Sequence, residues 1–283
     1  MNNLSFSVLM SVYHKEQPEY LKRALGSVIN QTLPPNEIVL VEDGPLTDEL
    51  YAVIDQHTKD YPGLFNIVKL EKNQGLGLAL REGVCRCTHE LIARMDSDDV
   101  SLPNRFEKQI DFFSHNDDTD VLGGICTEFY GEEDNIVSKA VLPQSPDDIV
   151  ALMKKKCAIS HVTVMFKRQS VDDAGNYRDY FWDEDYDLWV RMMSLGCKFA
   201  NLPDVLVNVR SGIDQYARRG GRRYFRSEKG VQKYMLEHKM IGPFRYLYNV
   251  SLRFAVQILM PNRIRGLAYK IYREKNRKNA VLA

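Results

Sequence analysis

Residues 90–99 read ELIARMDSDD. Leu91, Ile92, Ala93 and Met95 form a nearly continuous apolar run, and three carboxylates, Asp96, Asp98 and Asp99, follow within four residues. A short run that ends abruptly in acid suits a strand buried on both faces. Its carboxyl end then opens on the crevice where parallel α/β sheets bind ligands. The residues before it repeat the alternation. FSVLMSV (Phe6–Val12) is apolar and β-rich, and Pro18 then opens a helical pattern with Tyr20, Leu21, Ala24, Leu25, Val28 and Ile29 on one face. EIVLV (37–41) predicts a second strand, broken at Asp43-Gly44-Pro45, before a helix marked by Leu50, Val53, Ile54 and His57. A third strand is expected over 66–70, a helix over 75–87, and the fourth strand over 90–95. Such repeated β-α units imply a Rossmann-like parallel sheet covered on both faces.

Beyond Pro103 the pattern loosens. A helix is expected over 105–113, a buried strand over 121–126, an extended stretch near 136–141, a helix over 146–156 and a strand over 162–166. Residues 183–195 form a strong helical pattern, with Tyr186, Trp189, Val190 and Met193 at helical spacing and Gly196 as its C-terminal cap. With no internal repeat and no low-complexity linker, this second half reads as a continuation of the same sheet.

The 283 residues carry 38 Lys/Arg against 38 Asp/Glu, a formal charge of zero that excludes a uniformly basic nucleic-acid binder. The charges are nevertheless segregated. Residues 216–283 hold 17 Lys/Arg and three acids, a net of +14, so residues 1–215, with 21 Lys/Arg and 35 Asp/Glu, stand at −14. A basic tail on an acidic body points to an anionic partner. The five cysteines are odd in number, and Cys85-Arg86-Cys87 is too tightly spaced for a zinc knuckle or a redox pair, so buried, reduced thiols in a cytosolic protein are expected. MNNLSFSVLM lacks the basic start of a signal peptide, and no apolar run reaches about 18 residues.

Acidic clusters recur where the fold places ligands: Glu42-Asp43 after the second strand, Asp96 to Asp99 after the fourth, and Glu184-Asp185 opening the last helix of the acidic part. Carboxylates converging on one crevice repel unless a cation sits between them, and oxygen-only ligands suit Mg²⁺ or Mn²⁺, which bridge readily to phosphates. Each cluster also has a plainer reading. Ser97 and Asp98 could cap a helix ahead of Pro103, and Glu184-Asp185 could simply answer a helix dipole.

The motifs SVLMSVY (7–13), VEDGP (41–45), NQGLGLALREG (73–83), ARMDSDD (93–99), PNRFEKQ (103–109), ISHVTVMFKR (159–168) and DEDYDLWVRM (183–192) occur in this order. Together they resemble the family-2 glycosyltransferases with a GT-A fold, of the bacterial exopolysaccharide, capsule or O-antigen type, over residues 5–215. The resemblance implies a GT-A domain at 1–215, with a nucleotide-sugar-binding half at 1–100 and an acceptor half at 101–215. It implies that Val12, Tyr13, Glu42 and Asp43 hold the base and ribose of a nucleotide-diphosphate sugar. Glu42 departs from the Asp-Asp more usual at this turn. Asn73, Gly75 and Arg81 would line the nucleotide pocket. Asp98 would ligate a Mg²⁺ or Mn²⁺ cofactor, and Asp96 would contact the ribose or the metal through water. Asp185 would act as general base in an inverting hexosyl transfer. His161 would touch diphosphate or acceptor, unless it is a satisfied core histidine. Trp182 would stack on a sugar, unless it merely packs.

Residues 216–283 read as a helical, basic extension. FRYLYNVSLRFAVQILM (244–260) is apolar and aromatic, and Arg263, Arg265, Lys270, Arg273, Lys275, Arg277 and Lys278 follow. That composition fits an anionic membrane surface better than nucleic acid, with packing on the −14 body as the other option. Arg218 and Arg219 beside Gly220-Gly221 suit a basic loop over the donor diphosphate. The expected partners are therefore a nucleotide sugar, a lipid-linked or growing glycan acceptor, and the inner face of the cytoplasmic membrane. A sugar-phosphate nucleotidyltransferase would need a glycine-rich loop where the chain reads SVYHKEQPEY (11–20). A non-catalytic binding or scaffold protein of the same fold is the remaining rival.

Overall fold

The computed structural model describes residues 4–212, 220–261 and 264. Strands β1 (Phe6–Val12), β2 (Glu37–Glu42), β3 (Phe65–Lys69) and β4 (Leu91–Asp96) run parallel in the order β3-β2-β1-β4. Helices α1 (Pro18–Ile29), α2 (Asp48–Asp60) and α3 (Leu76–Arg86) connect them. Side chains alternate across a strand. Val8 and Met10 of β1 accordingly join a core with Leu21 and Leu25 of α1, while Leu9 joins the opposite core with Leu80 and Val84 of α3. The register levels the carboxyl ends: Val12 pairs with Glu42, and Ser11 with Asp96.

The second half adds β5 (Val100–Ser101), α4 (Arg105–His115), β6 (Val121–Phe129), β7 (Ile136–Lys139), α5 (Pro146–Met153), β8 (Met165–Lys167), α6 (Arg168–Asp173), α7 (Glu184–Ser194) and β9 (Phe199–Arg210). The sheet continues as β4-β8-β6-β9-β5, with β8 antiparallel to β4 and β7 paired onto β6. The strand expected at 162–166 is instead a single 3-10 turn, His161–Thr163, followed by the three residues of β8. The Thr163 hydroxyl donates to Ser160 O at 2.8 Å and Gly124 O at 3.1 Å, offering the backbone an alternative to the ladder. β9, the longest strand, follows no continuous apolar run. Gly123 pairs with Asn201 but Ile125 with Val205, so β9 spans four positions where β6 spans two, and Pro203 lies in that bulge.

Two helices close the described chain, α8 (Arg222–Glu237) and α9 (Pro243–Phe254), with a π-helical segment at Ala255–Leu259. Val231 and Met235 of α8 enter the core that holds Trp189 of α7. Asn249 of α9 donates to Gln232 Oε1 at 2.7 Å and to Lys154 O at 3.0 Å, and Gln232 donates to the Tyr186 hydroxyl at 3.3 Å. No helix among the described residues is long and apolar enough to cross a membrane. The five cysteines are free, and Cys85 is exposed rather than buried as expected.

Candidate active site at the carboxyl edge of the sheet

At the ends of β1 and β2, Val12, Glu42 and Asp43 are buried and Tyr13 is exposed. Burial pushes the Glu42 carboxyl up, against the pull of Lys69 Nζ at 3.6 Å. Asp43 organises the loop that precedes α3. Its carboxylate accepts from Asn73 Nδ2 at 3.0 Å and from the amides of Gln74 at 2.7 Å and Gly75 at 3.0 Å. Gly75 takes φ +88°, a conformation glycine adopts without strain, and so turns the chain into the helix. Asn73 and Gly75 are thereby tied to β2, whereas Arg81 lies exposed on α3, off the strand-packing positions Ala79, Leu80 and Gly83.

At the end of β4, residues two apart share a face. The buried Arg94 guanidinium forks onto the Asp96 carboxylate, with Nη1 to Oδ2 at 2.7 Å and Nη2 to Oδ1. Arg105 and Gln109 of α4 brace this point: Arg105 donates to Arg94 O at 2.7 Å, and Gln109 to Thr163 O at 2.9 Å. Ser97 and Asp98 do not cap a helix. Ser97 donates to Glu16 Oε2 at 2.6 Å, and α4 begins only at Arg105. Burial pushes the Asp98 carboxyl up to about 7, helped by the charges of Asp96 and Glu16. The buried Asp99 carboxyl is also raised, by burial and then by Asp96 and Asp98, although it accepts the Arg210 amide at 2.8 Å.

The first turn of α7 comes to the same edge. A Cβ on Gly77 of α3 would lie 2.5 Å from Arg178 O and 3.1 Å from Glu184 Cβ, so only glycine allows α3 this close to the segment leading into α7. Asp185 Oδ1 accepts from the Tyr186 amide at 2.7 Å, and Oδ2 accepts from Cys157 Sγ at 3.8 Å. Burial raises Glu184 to about 7, with Asp185 adding to the shift and Arg94 and Asp96 near enough to act on it. His161 Nε2 and the Tyr177 hydroxyl hydrogen-bond at 2.9 Å, and burial together with the Arg94 charge holds the imidazole well below its usual pKa, hence neutral. Trp182 sits beside this turn, 45% exposed, at φ +61°, stacked on Phe181 with centroids 4.6 Å apart. Arg218 lies outside the described residues.

Residues 7–175 match the family described as Glycosyl transferase family 2. The chain belongs to that family. This glycosyltransferase is 42% identical over 273 residues to an amylovoran biosynthesis glycosyltransferase, AmsE, of Erwinia amylovora, covering 96% of this chain and 99% of the relative. It is 36% identical over 267 residues to an Escherichia coli UDP-Gal:alpha-D-GlcNAc-diphosphoundecaprenol beta-1,3-galactosyltransferase, covering 94% and 95%. Among solved structures, S. aureus TarS 1-349 in complex with UDP-GlcNAc superposes with a TM-score of 0.64 at 16% identity, over 89% of this chain and 73% of that one. This last likeness is one of fold, the GT-A fold.

The glycosyltransferase has residues that fit a divalent cation. Asp98 is a carboxylate crowded by Asp96 and Glu16, whose mutual repulsion a cation would relieve. No cluster of three or more ligating side chains exists among the described residues. Sequence reasoning overlooked Arg94, Tyr177 and Glu16. Arg94 left one signal, a guanidinium inside an otherwise apolar strand. Glu16 and Tyr177 join the site only through tertiary packing.

Proposed function

We propose that this glycosyltransferase moves a hexosyl group, with inversion, from a nucleotide-diphosphate sugar to a lipid-linked or growing glycan at an anionic membrane surface. Nucleic acid is not a partner in this reading. One observation carries it: the ends of β1, β2 and β4 and the first turn of α7 meet at one edge, where Arg94 and Asp96 lie within electrostatic reach of Glu184, and Tyr177 lies within reach of Arg94, Asp96, Glu184 and Asp185. The E. coli relative named above uses UDP-Gal and a diphosphoundecaprenol acceptor, which supports the substrate classes.

The residues divide the work as follows. Val12, Tyr13, Glu42 and Asp43 take the base and ribose, with Asn73, Gly75 and Arg81 along the wall of the pocket. Asp98, backed by Asp96, would hold Mg²⁺ or Mn²⁺, and such an ion would supply Lewis-acid neutralisation of charge on the departing diphosphate. Asp185 takes the proton of an acceptor hydroxyl as that oxygen bonds to the anomeric carbon and the bond from that carbon to the diphosphate oxygen breaks. His161, kept neutral, lines the site without adding charge, and Arg218 answers the diphosphate.

Asp185→Asn is expected to abolish transfer while nucleotide-sugar titration with Mn²⁺ stays close to wild type; near-normal turnover would remove Asp185 from the role of base. Asp98→Ala is expected to weaken nucleotide binding only when Mn²⁺ is present. Thermal stabilisation by a panel of nucleotide sugars then identifies the donor.

A further inference from the structure

Helix α9 turns its apolar side chains outward. Phe244 is 91% exposed, Leu247 63% and Leu259 65%, and Tyr248 and Leu252 are exposed as well. Positions 244, 247/248, 251/252, 255 and 259 form one stripe at helical spacing. Its inward positions are held partly by polar contacts: Asn249 to Gln232 and Lys154 O, and Arg253 to Glu228 and to Lys155 O at 2.7 Å. On α8, packed against it, Arg222, Arg226, Lys229 and Lys233 are exposed at successive spacings of four, three and four, and Arg245 adds a cation on α9 itself.

We infer that the outward face of α9 is a membrane-insertion surface, lying in the plane of an anionic bilayer with its apolar stripe among the acyl chains and the cations of α8 and α9 at the headgroups. The occupant follows from what the two helices offer together. An exposed apolar, aromatic stripe on α9, with an exposed row of cations on the helix packed against it, matches the two layers of a bilayer surface, and α9 is too short to cross it. A second copy of the chain packed across a two-fold would bring each basic ridge toward its like. Nucleic acid would answer the cations and leave Phe244, Leu247 and Leu252 in water.

This surface has a consequence for the site, which rests on the reading of a membrane-borne acceptor. Asn249 reaches Gln232, Gln232 reaches the Tyr186 hydroxyl, and Tyr186 follows Asp185 in the chain. A helix seated among lipids would therefore fix the height of the Asp185 turn above the headgroups, where a lipid-linked acceptor presents its hydroxyl.

The test is co-sedimentation of the full chain with vesicles of phosphatidylethanolamine and phosphatidylglycerol, with phosphatidylcholine vesicles as control. Wild type is expected to pellet with the anionic vesicles and to retain part of that binding in high salt, since inserted side chains are not screened. Leu247→Glu/Leu252→Glu and, separately, Phe244→Glu/Tyr248→Glu are expected to lower partitioning at least tenfold, with unchanged Tm and unchanged transfer to a soluble acceptor analogue. Undiminished vesicle binding by both variants overturns the inference, as does wild-type binding that vanishes entirely in high salt. A wild-type dimer that Leu247→Glu/Leu252→Glu makes monomeric without altering vesicle binding also overturns it, in favour of a self-interface. Vesicle binding that responds to the variants as expected, with no transfer from any nucleotide sugar, upholds the surface and removes the proposed reaction instead.

Discussion

Arg94 and Asp96 stand two residues apart on β4, and the buried guanidinium of one grips both oxygens of the other. The first aspartate of the acidic motif is thus held in one orientation before any ligand arrives. Removing one member of a buried pair leaves an uncompensated charge. Arg94→Ala is expected to cost about 2–3 kcal/mol, toward the low side for such pairs because Asp96 keeps some contact with solvent. The double variant Arg94→Ala/Asp96→Ala is expected to cost less than Arg94→Ala alone. Urea denaturation of the three proteins checks both statements.

Gly77 tests the seam between the two halves. Alanine inside a helix ordinarily stabilises by up to about 1 kcal/mol over glycine, and Gly26→Ala in α1, where the added carbon meets no described atom within 4 Å beyond its own stretch of helix, should do so. Gly77→Ala is expected to reverse the sign and destabilise by about 1–2 kcal/mol, because its Cβ would press on Arg178 O. A matched pair of thermal melts reads the difference, and turnover should fall only in the Gly77 variant.

Asp183 makes stability depend on pH. Burial pushes its carboxyl up to about 10, with Glu228, Asp185 and Glu184 adding to the shift, and its Oδ2 has no hydrogen-bond partner among the described residues. The folded state therefore holds a proton that the unfolded chain releases near pH 4. The stability from this residue is full below that pH and declines as pH rises toward 10. Asp183→Asn is expected to flatten the fall of Tm between pH 5 and 9 and to raise Tm at pH 8–9 by roughly 2–4 °C. A Tm that responds to pH as steeply in the variant as in wild type would remove Asp183 as the source.

Trp182 holds a large exposed ring at positive φ next to the acidic turn, a conformation that costs a bulky residue of order 1–3 kcal/mol and persists where the surroundings impose it. An aromatic plane there suits a sugar ring of the acceptor. Trp182→Ala is expected to raise the acceptor KM roughly tenfold, equivalent to the loss of about 1.4 kcal/mol of ring contact, and to leave the donor KM unchanged. Trp182→Phe should recover most of the effect. Steady-state kinetics with each substrate varied in turn would show it.

The parallel half was legible because its strands are continuous apolar runs. β1 begins and ends where FSVLMSV predicts, β2 runs one residue longer than expected, and β4 is shifted by one residue at both ends. β9 was not legible, because Pro203 and Asp204 interrupt it and its burial is set by neighbours on both sides rather than by its own alternation. The basic extension was expected to be helical and is, but the bounds of α8 were not legible, for a related reason. Its basic face dominates the sequence, and the residues that bury it, Val231, Gln232 and Met235, are few. In the site, the carboxylates announced themselves by position after strands. Their partners did not: the grip of Arg94 on Asp96, the bond from Ser97 to Glu16 and that from Cys157 toward Asp185 join residues whose relation only the fold creates.

α9 is an inside-out helix, with amide and guanidinium groups fastening it to the body while phenyl and leucyl groups meet the solvent. An exposed apolar face of this kind favours adsorption of the protein to apolar surfaces and vessel walls. Mild detergent or lipid nanodiscs should therefore improve its behaviour during purification, and a crystallographer would do well to begin there.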